Sequence, residues 1–568
     1  MGRGIRFGKL RWAALSTATL AIAASTWVTS HAREAIGLPA ILTDPATMAD
    51  HPLPDFSYAG YEYGIAPLPV VTNVINVADY GAVPDDGRDD SAALKAALAA
   101  AAQSDRPVRV QLAKGRYQLT EILWMEHSNV VLAGMGMGEG GTQIYMPRPL
   151  NQVDDDGVLD ELREYLAAED KYQRDKALNL DVLFSEYSWT GGFIWTRTPG
   201  GRHVGYLDRL DPPIETVAEI ASGEQFERRL RVADTSGLKV GDVLKIFWHN
   251  RAGPEGPLVK SLYGDTKEPI GSRHWENPDR PLVQQATRIE AIRGDQVTIA
   301  DPLLHAITAD LPAYFARWEH LHNVGIQDLA LVFPENPYFG HHNESGFNGI
   351  YMTGVHNGWI ANVRVSNGDT GILTDDAANL TLRNIITDGA HKAHYSVHVG
   401  SVHNVLVDGL TVLNPTEHTF SINTRSTKSV YRNAVAWIAP TLDQHAGSNH
   451  QNLFDNLTVH IVPDQVSKDG RPMYDLYKAG GAPYWLPGHG KYNTTWNLNI
   501  VVDSGAGPGE EIVIFAGSEG PDARIVGMHG NRPIALQHKP EPYVELHGEP
   551  VRAAPSLYDW QLLQRKGS

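Results

Sequence analysis

The chain contains no cysteine. Disulfide staples, thiolate metal sites, a cysteine nucleophile and a lipoprotein anchor are therefore excluded. After the first two dozen residues no stretch approaches the ~20 apolar residues that a membrane-crossing helix needs. Positive charge is also scarce. Against 66 Asp and Glu stand 48 Lys and Arg, for a formal net charge of −18. Binding a phosphate backbone requires clustered Lys and Arg, so nucleic acid is not an expected partner.

What is present begins with a secretory pattern. Arg3, Arg6, Lys9 and Arg11 form a basic start, Trp12 to Ala24 is apolar, and Ser30-His31-Ala32 suits cleavage. Residues 1–32 therefore read as a signal peptide, with a membrane anchor as the alternative. The expected mature chain has no membrane span and is secreted or periplasmic.

The strongest signal is a repeat. An Asn or His, an alternating apolar run, an Asn, Asp or small residue and two more apolar positions recur at 356–365, 379–386 and 403–412, with weaker copies at 430–437 and 452–459. Matching one apolar position gives Val363, Ile385, Leu410, Val435 and Leu457, in steps of 22, 25, 25 and 22 residues. Such a period with strand-type alternation marks a solenoid, because each unit is too small to bury its own apolar face. Stacked strands lie about 4.8 Å apart, so residues one repeat apart become neighbours.

A second set of motifs lies upstream: Asp79-Tyr80-Gly81-Ala82, Asp86-Gly87-x-x-Asp90 before an Ala-rich helix from Ser91, Lys114-Gly115-x-Tyr117 and Leu132-x-Gly134-x-Gly136. Asp89 or Asp90 suits the helix N-cap. This stretch resembles the N-terminal signature of the pectate-lyase superfamily. The resemblance implies an all-β, right-handed parallel β-helix whose N-terminal helix caps the open end. The expected organisation is a leader at 33–72, an N-terminal module at 73–150, and an insertion or irregular coils at 151–315, including a helix from Leu159 to Ala177. The main coils at 316–505 carry the active-site face, with interruptions at 334–348 and 463–492. C-terminal coils and a capping helix occupy 506–568.

Between Ile385 and His460 the charge is nearly balanced, and eight of the 24 histidines lie there: His391, His394, His398, His403, His418, His445, His450 and His460. Such a window in an acidic protein admits an anionic ligand. A uniform step of 25 places Val397 over Ile422, aligns Tyr395, Phe420 and His445, and stacks His450 over Arg425. Alternation then predicts an exposed polar stripe of His394, Ser396 and His398 beside Thr419, Ser421, Asn423 and Arg425, with His418 at its strand start and Asp443 one coil above. The loop 338–348, with His341, His342 and Glu344, is placed to cover this stripe, and Lys428 lies beside it.

These residues suit β-elimination on a uronate chain, which needs a neutralised carboxylate, a base for the C5 proton and an acid for the leaving oxygen. Arg425 with Asn423 is expected to hold the carboxylate, His394 or His398 to act as base, and His418 or Tyr395 as acid, with Asp443 orienting His418; His445 and His450 complete the patch. The expected partner is an acidic polysaccharide or oligosaccharide. The alternatives are a glycoside hydrolase, which needs two facing carboxyl groups, and a non-catalytic glycan-binding solenoid with aromatic platforms such as Trp359, Trp437, Tyr484 and Trp485. No cofactor is required by these residues, and the metal is unknown; calcium is implied by the resemblance alone. His391, His394 and His398 have zinc-like spacing only on a helix, not on a strand.

Overall fold

The structure, a computed structural model, describes residues 37–153, 185–199, 214–276, 278–481, 483–518 and 520–567. The expected signal at 1–32 and the helix expected from Leu159 to Ala177 lie outside the described residues.

The chain winds as a right-handed parallel β-helix. One long parallel sheet has 18 strands, a second has 11, and a short third sheet has four. Inward residues of successive coils, Val363, Ile385, Leu410, Leu457 and Ile500 among them, fill one continuous core. The Ser91–Ala101 helix buries Leu94, Ala97 and Leu98 against the first coil and caps it as expected. Asp90 holds the N-cap position, but its carboxylate accepts from Val83 and Gln118; Asp89 Oδ1 accepts from Ser91 N at the helix start.

The Asn positions of the repeat have a backbone cause. Asn362, Asn384, Asn433, Asn456 and Asn497 have φ between 51 and 55°, the left-handed region that Asn tolerates better than most residues. Their amides also climb from coil to coil: Asn384 donates to Asn362 at 2.8 Å, Asn456 to Asn433 at 2.8 Å and Asn497 to Asn456 at 3.1 Å. A parallel column at the other bend runs through Asn357, Asn379 and Asn404, and continues in left-handed Lys428 and Gln451.

The register differs between sheets. In the long sheet Val363 pairs with Ile385 and Ile385 with Leu410, but Leu410 is followed by Ala434 rather than Val435, because Thr411 pairs with Val435. In the second sheet Tyr395 pairs with His418, Val397 with Phe420, and Phe420 with Leu442. The step there is 23 and then 22, not 25. The connection from the Leu406–Val412 strand to the Thr416–Asn423 strand is shorter than the one from Thr381–Asp388 to Ala393–Val399, and this removes the extra residues.

The expected insertion contains a closed six-stranded antiparallel barrel between Thr216 and Arg317, with its own core. Ile194–Thr196, however, is a strand of the β-helix, as is Pro472–Gly480 inside the expected interruption at 463–492. The C-terminal helix Leu557–Gly567 lies along the flank of the long sheet rather than over its end. With Phe56 of the leader it covers Leu406, Val430, Leu453, Trp496 and Val526, one from each successive coil.

The barrel docks on the short third sheet through buried polar groups. His403 Nε2 lies 2.7 Å from Asp301 Oδ2, and His305 Nε2 lies 2.9 Å from His450 Nε2. Lys245 pairs with Asp376, to which Trp318 donates, and Tyr263 Oη accepts from Ser448 N. Burial would raise the Asp301 carboxyl, but the charge and hydrogen bond of His403 hold it low. Burial lowers His274 and His450 to about 4, and pushes His305 and His356 well below the ordinary value of 6.5.

These imidazoles gain protons on unfolding between pH 4 and 6.5, so their contribution is complete above 6.5 and is lost as pH falls. Glu344 and Asp455, raised by burial to about 7 and about 6, act in the opposite sense but are fewer. The melting temperature should therefore fall by roughly 10 °C or more between pH 7 and pH 4. Calorimetry checks this; a flat profile would contradict it.

Candidate active site

Five consecutive strands of the second sheet, Asn348–Thr353, Thr370–Asp375, Ala393–Val399, Thr416–Asn423 and Leu442–His445, form the wall, followed by Pro472–Gly480. The loop 334–348 folds over it and is pinned at its end. Asp369 Oδ2 accepts from Gly346 N at 2.9 Å and Phe347 N at 2.8 Å, and the His342 carbonyl accepts from Ser185 N. His391 holds the other end of the loop through the Asn336 carbonyl at 3.0 Å and faces Asp369 Oδ1 at 2.7 Å.

Under this loop the imidazoles gather. The His341 ring centroid lies 4.7 Å from that of His394 and 5.4 Å from that of His418, and His394 lies 5.1 Å from His418. The His418–His445 separation is 4.7 Å. The ring of Tyr395 stacks on both His394 and His418 and meets His398 edge-on. Tyr395 is also part of the apolar core, so it joins interior and wall.

Three carboxylates of the wall and its loop, Glu344, Asp369 and Asp443, each serve an imidazole. Glu344 Oε1 lies 3.0 Å from His394 Nδ1, while Ser188 Oγ donates to Glu344 Oε2 at 2.6 Å. Asp443, fully buried, sets Oδ2 3.2 Å from His418 Nδ1 and Oδ1 3.2 Å from His445 Nδ1, and accepts from Ser421 Oγ at 2.7 Å. Burial opposes its ionisation, but His418 and His445 hold its carboxyl well below the usual carboxylate range. Burial raises Glu344 to about 7, lowers His398 to about 3 and pushes His394 well below 6.5. At neutral pH these two imidazoles are therefore uncharged.

The wall is not the exposed stripe that alternation suggests. His394, His398, His418, Asn423 and Asp443 are all buried, and the loop covers His394 and His418. His341 is exposed, and His342 and His445 are half-buried, so the mouth lies between the loop and His445. At that mouth Lys392 and Lys478 both approach Glu417, and Lys478 pairs in register with Asp443.

Three expected members lie elsewhere. Arg425 is past the end of the Thr416–Asn423 strand, in a left-handed turn with φ of 61°, and does not share the strand face. Lys428 occupies the left-handed bend column; it is buried under the leader, donates to the Asp55 carbonyl at 3.2 Å and is lowered by burial to about 8. His450 bridges to Thr427, not Arg425, and faces the barrel at His305. Asn423 pairs in register with His445 and stays at the edge of the wall. Among the expected aromatic platforms Trp359 is fully buried, Trp485 packs on His274, and Trp437 is exposed but stacks on His460, away from the wall.

Ser188 and Lys478 were not among the candidates, and His391 was noted only within the run of histidines, without its partner Asp369. His391 and Asp369 are 22 residues apart, one coil step, which is the signal that identifies them as a stacked pair. Ser188 and Lys478 fall in segments where the repeat is not readable.

Among the described residues, two groups have metal-ligand spacing: His341, His342 and His394, and His418, Asp443 and His445, each offering atoms within 4.8 Å of one another. Nitrogen donors dominate both. Calcium takes six to eight oxygens, so the wall does not fit the calcium that the resemblance implied.

Residues 74–146 match the family Rhamnogalacturonase A/epimerase, pectate lyase-like. The chain is a right-handed parallel β-helix protein whose N-terminal module is of the pectate-lyase-like type. Among solved structures it is similar to the tailspike gp61 of Pseudomonas phage phi297, at 12% identity over 83% of this chain and 77% of that one, with a TM-score of 0.36. It is also similar to the family 28 exopolygalacturonase of Yersinia enterocolitica, at 10% identity over 85% and 80%, TM-score 0.33. For the A-module of the Azotobacter vinelandii mannuronan C-5 epimerase AlgE4 the values are 13% identity, 83% and 100%, with a TM-score of 0.31. A search of curated proteins by sequence finds no match.

Gly480 makes room for the Asp443–His445 pair. A Cβ there would stand 1.9 Å from His445 Nδ1 and 2.8 Å from Asp443 Oδ1. Gly480→Ala should displace His445 and remove the low-field Nδ1–H proton signal of that pair in NMR spectra, with the chain still folded. Persistence of the signal would contradict the pairing.

Proposed function

We propose that this protein is a polysaccharide lyase that cleaves a uronate-containing chain by β-elimination. The observation that carries this reading is the pairing of Glu344, Asp369 and Asp443 with imidazoles. A hydrolase needs two carboxyl groups directed at the sugar; here Glu344, Asp369 and Asp443 orient histidines, and the carboxylate at the mouth, Glu417, is held by Lys392 and Lys478. The match of residues 74–146 to the Rhamnogalacturonase A/epimerase, pectate lyase-like family supports a polysaccharide as the substrate class.

His445 is assigned the base. It is a half-buried imidazole at the mouth, and with its Nδ1 turned to Asp443 the other nitrogen, Nε2, is the one directed to the C5 proton. Tyr395, wedged between His394 and His418, is assigned the acid that protonates the leaving 4-oxygen. The C5–H bond breaks toward His445, the C4–C5 double bond forms, and the C4–O bond breaks. Lys392 and Lys478 give the rim its positive charge for an anionic chain; Arg425 has no part in this scheme. Asp443 is a positioning residue, because it acts through His445.

Incubation with a panel of acidic polysaccharides tests the reading. Elimination gives a conjugated double bond and a rise in ultraviolet absorbance. His445→Ala should lower kcat by about 100-fold or more, and Lys478→Ala should mainly raise KM. New reducing ends without absorbance would mean hydrolysis, and binding with neither would mean a glycan-binding solenoid; each result replaces the lyase reading.

A further inference from the structure

The cluster under the loop has a geometry that proton transfer alone does not require. His418 Nε2 and His341 Nε2 face each other at 3.4 Å. That is long for an N–H···N bond. The barrel interface shows a plain imidazole pair for comparison: His305 and His450 meet Nε2 to Nε2 at 2.9 Å, with His305 Nδ1 on Ser261 Oγ and His450 Nδ1 on the Ser448 carbonyl. That pair is fully engaged and needs no ligand.

A separation of 3.4 Å suits two nitrogens on one tetrahedral ion. With metal–nitrogen distances of about 2.0–2.1 Å, two ligand nitrogens stand about 3.3 Å apart and the ring centroids about 5 Å apart. The three centroid separations among His341, His394 and His418 are 4.7, 5.1 and 5.4 Å. His342 does not fit this arrangement as well, since its ring lies only 3.9 Å from that of His341.

The outer partners also match. A metal-bound histidine generally donates its other ring nitrogen to a carboxylate or carbonyl. His394 Nδ1 has Glu344 at 3.0 Å, and His418 Nδ1 has Asp443 at 3.2 Å. Both contacts leave Nε2 for an ion. Neither His394 Nδ1 nor His418 Nδ1, both buried, has a hydrogen bond of good geometry. A small shift of the rings toward a shared ion would align both.

We propose that His341, His394 and His418 bind one divalent transition-metal ion of the zinc class through Nε2, with Glu344 and Asp443 as outer acceptors and the fourth position open to the mouth. Two carboxylates one residue removed balance the charge of the ion. Imidazole donors select zinc, cobalt, nickel or copper over calcium and magnesium. The binding stands on this geometry and not on the lyase reading. Its use there, to neutralise the uronate carboxylate where the sequence pointed to Arg425, does rest on that reading.

Metal binding to the full chain is measured without substrate, so failure of the lyase reading leaves the result intact. The protein is stripped with chelator and titrated by calorimetry with zinc, cobalt, magnesium and calcium. One equivalent of zinc or cobalt per chain is expected, with a tetrahedral visible spectrum for cobalt and no competition from calcium. His341→Gln, on the exposed loop where folding is not at stake, should weaken zinc at least 100-fold. His418→Gln should do the same, and Glu344→Gln should cost about 10–100-fold. Absence of saturable binding overturns the proposal, as does calcium competing for the site or zinc affinity unchanged in His341→Gln. If His418→Gln fails to fold, the loop variant and the cobalt spectrum decide.

Discussion

Each coil of this solenoid has to bend at fixed places, and the bend is made in left-handed backbone. Asn supplies it at most positions and links it to the next coil through its amide, as between Asn384 and Asn362 or Asn497 and Asn456. Once the bends are stacked, the strands between them are locked in register, and side chains of distant sequence are held about 4.8 Å apart. The histidine-rich wall is a consequence of that locking. His398, Ser421 and Asp443 form one outward column because the bends beneath them are aligned.

The wall combines two opposed electrostatic demands. Burial disfavours charge on every group, yet Asp443 is held ionised because two imidazoles share it. Burial also keeps His394 and His398 neutral. The outcome is a pocket of neutral bases oriented by buried carboxylates, with lysines confined to the rim. The barrel interface applies the same physics to another end. There Asp301 and His403, or His305 and His450, are fully satisfied by one another and by nearby groups, and they fasten two cores together.

The fold was legible because the period and the Asn positions arise from the backbone itself. The cap at Ser91 was legible for the same reason. The loop with His341, His342 and Glu344 was correctly placed over the wall, since an insertion between neighbouring strands has to leave the sheet beside them. What failed was the phase. A connection shorter by two residues after Val412 moved Tyr395 onto His418, and a separate step of 23 from Thr427 took His450 away from Arg425. Lys428 was misread because a lysine in an Asn column looks like a functional cation, when its backbone conformation is what the position demands. The barrel, whose antiparallel strands lack the period, appeared in the sequence only as a break.

The central claim is that the wall beneath the 334–348 loop binds a uronate chain with its C5 directed at His445. The most direct measurement is a crystal structure of the His445→Ala variant with a bound uronate oligosaccharide. The account predicts a sugar ring at the mouth, C5 toward the space left by the imidazole, and the carboxylate toward His341, His394 and His418. A chain seated on another face, such as the exposed Trp437 side, with the wall vacant, would contradict it.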